Sequence, residues 1–288
     1  FWVASELGLK TQGRYYITSE IPLGSGLSSS AAFEMALLAA IFELNGHGFD
    51  RKELALLGRK VENEFVGVQS GIMDQMISAL GKAGKLLLID CTRIEYRYVD
   101  WPDSDASLWI IHTGITRTLA QSEFNKRREQ CEAALALINA RTGNGFELLA
   151  HVPEELVWDL KDELGDVLFR RARHVVTEVK RVYAFVEALE RNDLKRAGEL
   201  LYEAHASSRD NYETSCAELD LLVELAREAG ALGGRLVGAG FGGAAVFIVP
   251  DRCEPDFVRI PDIYRKRTGR QPRIWKVYPS DGLRVDRV

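Results

Sequence analysis

The chain has 288 residues, of which 46% are hydrophobic and 27% charged, and a formal net charge of −5. That length suits a large core divided between two lobes, and the composition is that of a water-soluble globular protein. The acidic balance argues against a nucleic-acid partner, which needs a basic face, and no apolar run approaches the roughly 20 residues of a membrane span. Four cysteines, Cys91, Cys131, Cys216 and Cys253, are scattered without a CxxC pair. That pattern argues against zinc and predicts a reducing, cytoplasmic setting. Cys91 follows the apolar run Leu86 to Ile89 and is expected to be a buried thiol. The opening Phe1-Trp2-Val3-Ala4 reads as the middle of a helix whose start is absent, so the chain is expected to be an internal fragment.

Arg14 to Ile21 is rich in aromatic and β-branched residues and predicts a strand. It feeds the turn Pro22-Leu23-Gly24-Ser25-Gly26-Leu27-Ser28-Ser29-Ser30. A helix follows, with Phe33, Leu37, Ile41 and Leu44 inward and Gly46 and Gly48 stopping it. Asp50 and Glu53 form a capping-box-like start for a second helix, with Leu54, Leu57, Val61 and Phe65 inward. Gly67 to Gly71 is a loop. A third helix runs from near Asp74 to Gly81, and strands are expected at Lys85–Asp90 and Ser107–His112. Helices then run over Leu119–Ala140, Val175–Glu190 and Leu194–Ser207. Another starts at Ser215, with Glu218 as its capping partner. Arg235–Val237 and Ala244–Val249 read as a hairpin joined by the cluster Gly238 to Gly243, and Arg273–Tyr278 as a last strand. Strands and helices mix without a βαβ rhythm, so the expected class is α+β. Two lobes are expected, 1–105 and 106–288.

A glycine turn opening into a helix is a ready anion site, because backbone N–H groups and the helix dipole point at one spot. It lacks the lysine of a Walker loop and the third glycine of a dinucleotide fingerprint, and glycines and serines before a helix are also ordinary N-cap residues. Asp74 suits either an N-cap or a carboxylate that orients a nucleophilic hydroxyl. Glu62 suits either a surface helix or a magnesium ligand. The cluster Gly238 to Gly243 fits a plain hairpin turn or a close backbone approach. The run Ser122 to Cys131 carries cations that fit a phosphate or a solvated helix face. The five histidines show no metal spacing and are read as structural.

Taken in order, Pro22 to Ala32, Gly71-Ile72-Met73-Asp74-Gln75 and Gly238 to Gly243 resemble the second, catalytic-aspartate and third motifs of the GHMP small-molecule kinases. Glu64 to Gly67, Leu87 to Cys91, Ser122 to Cys131 and Ser207 to Asp220 are similar to the sugar-kinase branch of that family. The resemblance implies the two-lobed GHMP fold, in which a ribosomal protein S5 domain 2-like lobe precedes an α/β lobe and the active site lies between them. It implies transfer of the γ-phosphate of Mg-ATP to O1 of a sugar, D-galactose first, with galacturonate or arabinose as alternatives. A non-catalytic sensor of sugar and ATP is the other alternative.

In that reading Gly24, Ser25, Gly26, Leu27, Ser28, Ser29 and Ser30 wrap the ATP phosphates. Ser30 and Glu62 hold Mg2+, Asp74 sits by the anomeric hydroxyl, and Gly71 and Phe124 line the sugar. The third glycine motif braces the phosphate loop. A monomer is expected. Phe124 stands where similar sugar kinases carry tyrosine, and the missing hydroxyl would weaken sugar binding by roughly 0.5–1.5 kcal/mol. The family's first motif, with an arginine and a Glu-His-Asp group, has no counterpart in this chain. The chain alone is therefore expected to be a poor catalyst.

Overall fold

A computed structural model of the chain describes residues 1–22, 26–68, 70–115 and 120–286, without the side chains of 120–122. It divides into two units, Phe1–Trp101 with Tyr278–Val288, and Pro102–Val277.

The first unit opens with α1 (Trp2–Glu6) and an extended stretch, then α2 (Ser29–Leu44) and α3 (Arg51–Lys60). Helix α2 is rich in Ala, Leu, Met and Glu, all good helix formers. It stops at Asn45, whose amide donates to Ile41 O at 2.8 Å and Lys10 O at 2.9 Å. Asp50 caps α3 as expected, its Oδ1 accepting from Lys52 N at 2.8 Å and Glu53 N at 3.0 Å.

A π-helical turn (Val61–Val66) continues α3, then α4 (Met73–Leu80) and the antiparallel hairpin of β1 (Lys85–Asp90) and β2 (Glu95–Asp100) complete the unit. Met35, Leu38, Leu54, Ile72 and Met76 form its core.

Several expectations need correction here. The inward stripe of α2 is Met35, Leu38, Ala39 and Ile41, whereas Phe33 is 45% exposed and Leu44 73%. The 33/37/41/44 spacing marks the flank of the same apolar band. Phe65 is 67% exposed, because the π turn bonds i→i+5 and rotates it off the inward row. It stacks on Trp2 instead, ring centroids 5.8 Å apart. Arg14–Ile21 forms no strand: among the described residues none pairs with it, and Tyr16 is 94% exposed. Cys91 is exposed, because it sits in the turn just past the end of β1. β2 was not anticipated.

The tail returns to the first unit rather than belonging to the second lobe. Gly84 N donates to Pro279 O at 3.0 Å, Gly282 N to Gly81 O at 2.8 Å and Leu283 N to Ser78 O at 2.9 Å. The expected split at 105/106 therefore moves to 101/102, with 278–288 changing sides.

The second unit holds β3 (Ala106–His112), α5 (Ala120–Thr142), α6 (Glu154–Asp159), α7 (Lys161–Glu190) and α8 (Leu194–Ser207). A second π turn (Ser208–Tyr212), α9 (Ala217–Glu228), β4 (Gly233–Leu236), β5 (Ala244–Pro250), α10 (Glu254–Phe257), α11 (Ile260–Thr268) and β6 (Arg273–Val277) follow. The strands form one antiparallel sheet in the order β4-β5-β3-β6, with Trp109 opposite Phe247. Leu222, Phe257 and Tyr264 pack with Trp109 and Phe247, and Ile138, Val157, Phe169 and Ala172 form a separate helical core.

Helix α7 begins well before Val175, with a break at Gly165 where φ is 66°. The capping box at Ser215 does not form. Cys216 precedes α9 without a side-chain cap, and Ser215 Oγ instead donates to Asp220 Oδ1 at 2.6 Å. That carboxylate also receives His205 Nε2 at 3.0 Å, so the hydroxyl is drawn into a half-buried polar cluster.

Helix α8 meets β4 at paired glycines. A Cβ on Gly198 would stand 2.2 Å from Leu232 O, and one on Gly233 2.2 Å from Gly198 O. Backbone cannot yield as a flexible side chain does, so Gly198→Ala should destabilise the protein by about 1–3 kcal/mol or more. Urea denaturation checks this, and an unchanged midpoint would contradict the contact.

Candidate active site

The described end of the glycine turn enters α2 without a conventional cap. Gly26 has φ 73° and Ser28 φ 57°, and the Ser28 side chain accepts no hydrogen bond from the first turn. An N-cap serine normally sits in the extended region and satisfies an N–H of N2 or N3, so the capping explanation fails for Ser28. The start of a 16-residue helix stands behind Ser29 and Ser30, with its dipole favouring an anion. Gly24 and Ser25 lie outside the described residues.

Asp74 is not an N-cap either. Ile72 holds that position, and Asp74 lies half-buried in the first turn of α4, where the helix dipole attracts negative charge. Gly71 is exposed just before it. Glu62 is half-buried at the start of the π turn.

These elements meet at Glu34, which was not singled out from the sequence. It stands on α2 one turn after Ser30, on the same face. Its carboxyl meets that of Glu62, and Gln75 Nε2 donates to its Oε2 at 3.3 Å. Burial pushes the Glu34 carboxyl up to about 7; the Gln75 bond opposes this and the Glu62 charge adds to it. Gln75 is 2% exposed and follows Asp74 directly, and its Oε1 is buried without a hydrogen-bond partner.

Ser30 and Glu62 offer hard oxygen donors, and the Glu34 carboxyl lies in contact with that of Glu62. That donor set fits a magnesium ion sharing its ligands with phosphate and water. Among the described residues no group of three or more His, Cys, Asp or Glu is placed to hold a metal ion.

In the second unit the third glycine cluster rests on a polar abutment. Gly240 has φ 78°, and a Cβ there would lie 2.0 Å from Thr214 O, the atom that accepts Phe241 N at 2.6 Å. The segment 210–213 is held in turn by three arginines. Arg127 Nε donates to Tyr212 O at 2.8 Å and its Nη2 to Glu213 O at 3.2 Å. Arg171, 1% exposed, reaches Gln130 Oε1 at 2.7 Å, Asn211 O at 2.5 Å and Glu213 Oε2 at 2.5 Å. Arg170 binds Asp210 O at 3.1 Å and pairs with Glu213 Oε1.

The cations of the 122–131 run therefore divide. Arg127 is buried and structural, while Arg128 is exposed and pairs with Glu132 four residues on. Phe124 is half-buried on α5. The arginine abutment was invisible in sequence because its partners lie 40 to 86 residues away.

His174 backs this turn, stacked on Tyr212 with ring centroids 4.3 Å apart and with Nδ1 3.0 Å from Ser207 Oγ. Burial, with Arg235 and Arg181 nearby, pushes its imidazole down to about 3.

Residues 2–82 match the GHMP kinases N terminal domain, and residues 185–259 match GHMP kinases C terminal. The chain is 38% identical over 287 residues to a galactokinase of Thermococcus kodakarensis, covering 99% of this chain and 79% of that protein. It is 41% identical over 286 residues to a galactokinase of Roseiflexus sp., covering 96% and 72%. The solved structure of a Lactococcus lactis galactokinase complexed with galactose matches with a TM-score of 0.87 at 32% identity, covering 98% of this chain and 73% of that one.

Two outcomes follow from the second-unit geometry. Gly240→Ala combines a left-handed backbone with a clash against Thr214 O, and should cost about 1–3 kcal/mol in urea denaturation; full stability would show the loop is not seated there. For His174, the folded state stays neutral while the unfolded chain takes a proton below its ordinary 6.5. The unfolded state then binds more protons between pH 6.5 and about 3, so stability falls as pH drops, by at most about 1.4 kcal/mol per unit. His174→Gln should flatten the decline in Tm between pH 6.5 and about 4; an unchanged slope would assign the acid sensitivity elsewhere.

Proposed function

The chain belongs to the galactokinase family of GHMP kinases, and on that premise we propose that it transfers the γ-phosphoryl group of ATP to O1 of D-galactose. The products are galactose 1-phosphate and ADP. The observation that carries this reading is the match, over 98% of the chain, to a galactokinase structure complexed with galactose.

In the reaction the anomeric O1 attacks the γ-phosphorus, the bond from that phosphorus to the β,γ-bridging oxygen breaks, and ADP leaves with the electron pair. Little covalent work falls to the protein, so positioning and charge dominate. Asp74 orients the O1 hydroxyl and takes its proton, or directs it to solvent. The backbone N–H groups from Gly24 to Ser30 hold the phosphates at the positive end of α2. Ser30 and Glu62 would hold Mg2+. Bound there, the ion would neutralise charge on the β- and γ-phosphate oxygens. We place the reaction in a reducing cytoplasm, which suits four cysteines that form no disulfide. No described helix is long and apolar enough to cross a membrane.

Phe124 and Gly71 complete the sugar contacts in this reading. Phe124→Tyr would restore a hydroxyl beside the sugar. It should lower the galactose KM by about two- to tenfold, the equivalent of one hydrogen bond of roughly 0.5–1.5 kcal/mol.

Coupled ADP release by the full-length protein across a sugar panel tests the reaction. Galactose should give the highest kcat/KM, and preference for an acid sugar or a pentose would overturn the substrate. In the full-length enzyme Asp74→Ala should abolish turnover while a fluorescent ATP analogue still binds. Near-normal kcat in that variant would remove Asp74 from the chemistry.

A further inference from the structure

In the first unit the helix behind the glycine turn, the turn bearing Glu62 and the helix bearing Asp74 are joined by one side chain, Glu34. It touches Glu62 on one side and accepts from Gln75 Nε2 at 3.3 Å on the other. Gln75 is 2% exposed, so this bond lies among packed helices, where a polar contact is hard to replace. Helix α3 presses onto the same spot. A Cβ on Gly58 would lie 2.4 Å from Met35 Cε, 3.1 Å from Gln75 Cγ and 3.3 Å from Glu34 Oε2. Little room exists for Gln75 to move without carrying its neighbour Asp74 along.

We propose that Glu34 is a positioning residue: through Gln75 and Glu62 it fixes the helix of Asp74 against the turn of Glu62, so that the acceptor side and the phosphate side of the reaction keep one spacing. The inference rests on the assignment of Asp74 and Glu62 to phosphoryl transfer. Glu34 touches neither substrate in this scheme. It sets where the groups that do so stand, and in-line transfer is sensitive to such placement, since a shift near 1 Å can cost about a hundredfold.

An amide at position 34 can still accept from Gln75 and can donate to Glu62, whereas a methyl group can do neither. Glu34→Ala should therefore lower kcat with galactose by more than about tenfold, with the KM values for galactose and ATP changed much less. Glu34→Gln should recover most of that loss, at the wild-type Mg2+ requirement.

Gln75→Leu keeps the bulk and removes the amide, and should reproduce the alanine defect. The double variant Glu34→Ala/Gln75→Leu should be little worse than either single one, because contacting residues acting as a unit do not add. Thermal denaturation of each variant separates lost folding from lost rate.

Full kcat in Glu34→Ala, or additive losses in the double variant, would overturn the positioning role. So would a Glu34→Gln enzyme as slow as the alanine variant with a raised Mg2+ requirement, because Glu34 would then bind the metal directly. Failure of the underlying reading looks different: the full-length wild-type enzyme would release no ADP with galactose, and this inference would fall with it.

Discussion

Three helices of the first unit can converge only because Gly58 carries no side chain. Met35, Gln75 and Glu34 occupy the space a Cβ would need, so α2, α3 and α4 meet where any side chain on residue 58 would clash. Everything proposed for the chemistry on this side follows from that approach. It seats Glu34 against Gln75, brings Glu62 to the same carboxyl, and fixes the first turn of α4 where Asp74 stands. A bulkier residue at 58 would act on all of these at once.

The second unit solves a similar problem with charge. Glu213 sits in a left-handed backbone conformation, φ 56°, and is gripped by Arg170 and Arg171 while Arg127 binds the carbonyls beside it. A buried guanidinium such as Arg171 is costly unless its donors are met. Here they are met by Gln130, Asn211 O and Glu213. The result is a stiff 210–214 segment whose Thr214 carbonyl fixes the glycine loop through Phe241 N. Glycine gives the loop its shape, and the arginines give it an abutment.

The sequence showed the motifs and their order, and most helices and strands, because these signals are local. Asp50 caps α3 as its pattern predicts. Ser28 carries the same kind of signal, yet its left-handed φ turns the hydroxyl away from that duty. Nothing in the residue types separates the two cases, because backbone conformation decides. Phe65 continued an apolar row only if the helix stayed α, and the π turn broke the period. Arg14–Ile21 had strand composition but a strand needs a partner, and none of the described residues supplies one. Glu34 carries no local signal, because a glutamate inside a helix is ordinarily a solvated one. Its contacts come from residues 28 and 41 positions away, and no periodicity reports those.

Phosphoryl transfer rewards groups that are in place before the charge develops, since reorganising them during the reaction would add to the barrier. The Glu34–Glu62 contact is such a group held at a cost. Two carboxyl groups in touch disfavour each other's ionisation, and burial has already pushed Glu34 up to about 7. That cost falls on the protein alone. A ligand that brings positive charge to the pair relieves it, and whatever binds the folded state more tightly stabilises it by mass action. Closely packed helices, an acidic pair and a helix N-terminus that favours anions are then parts of one arrangement.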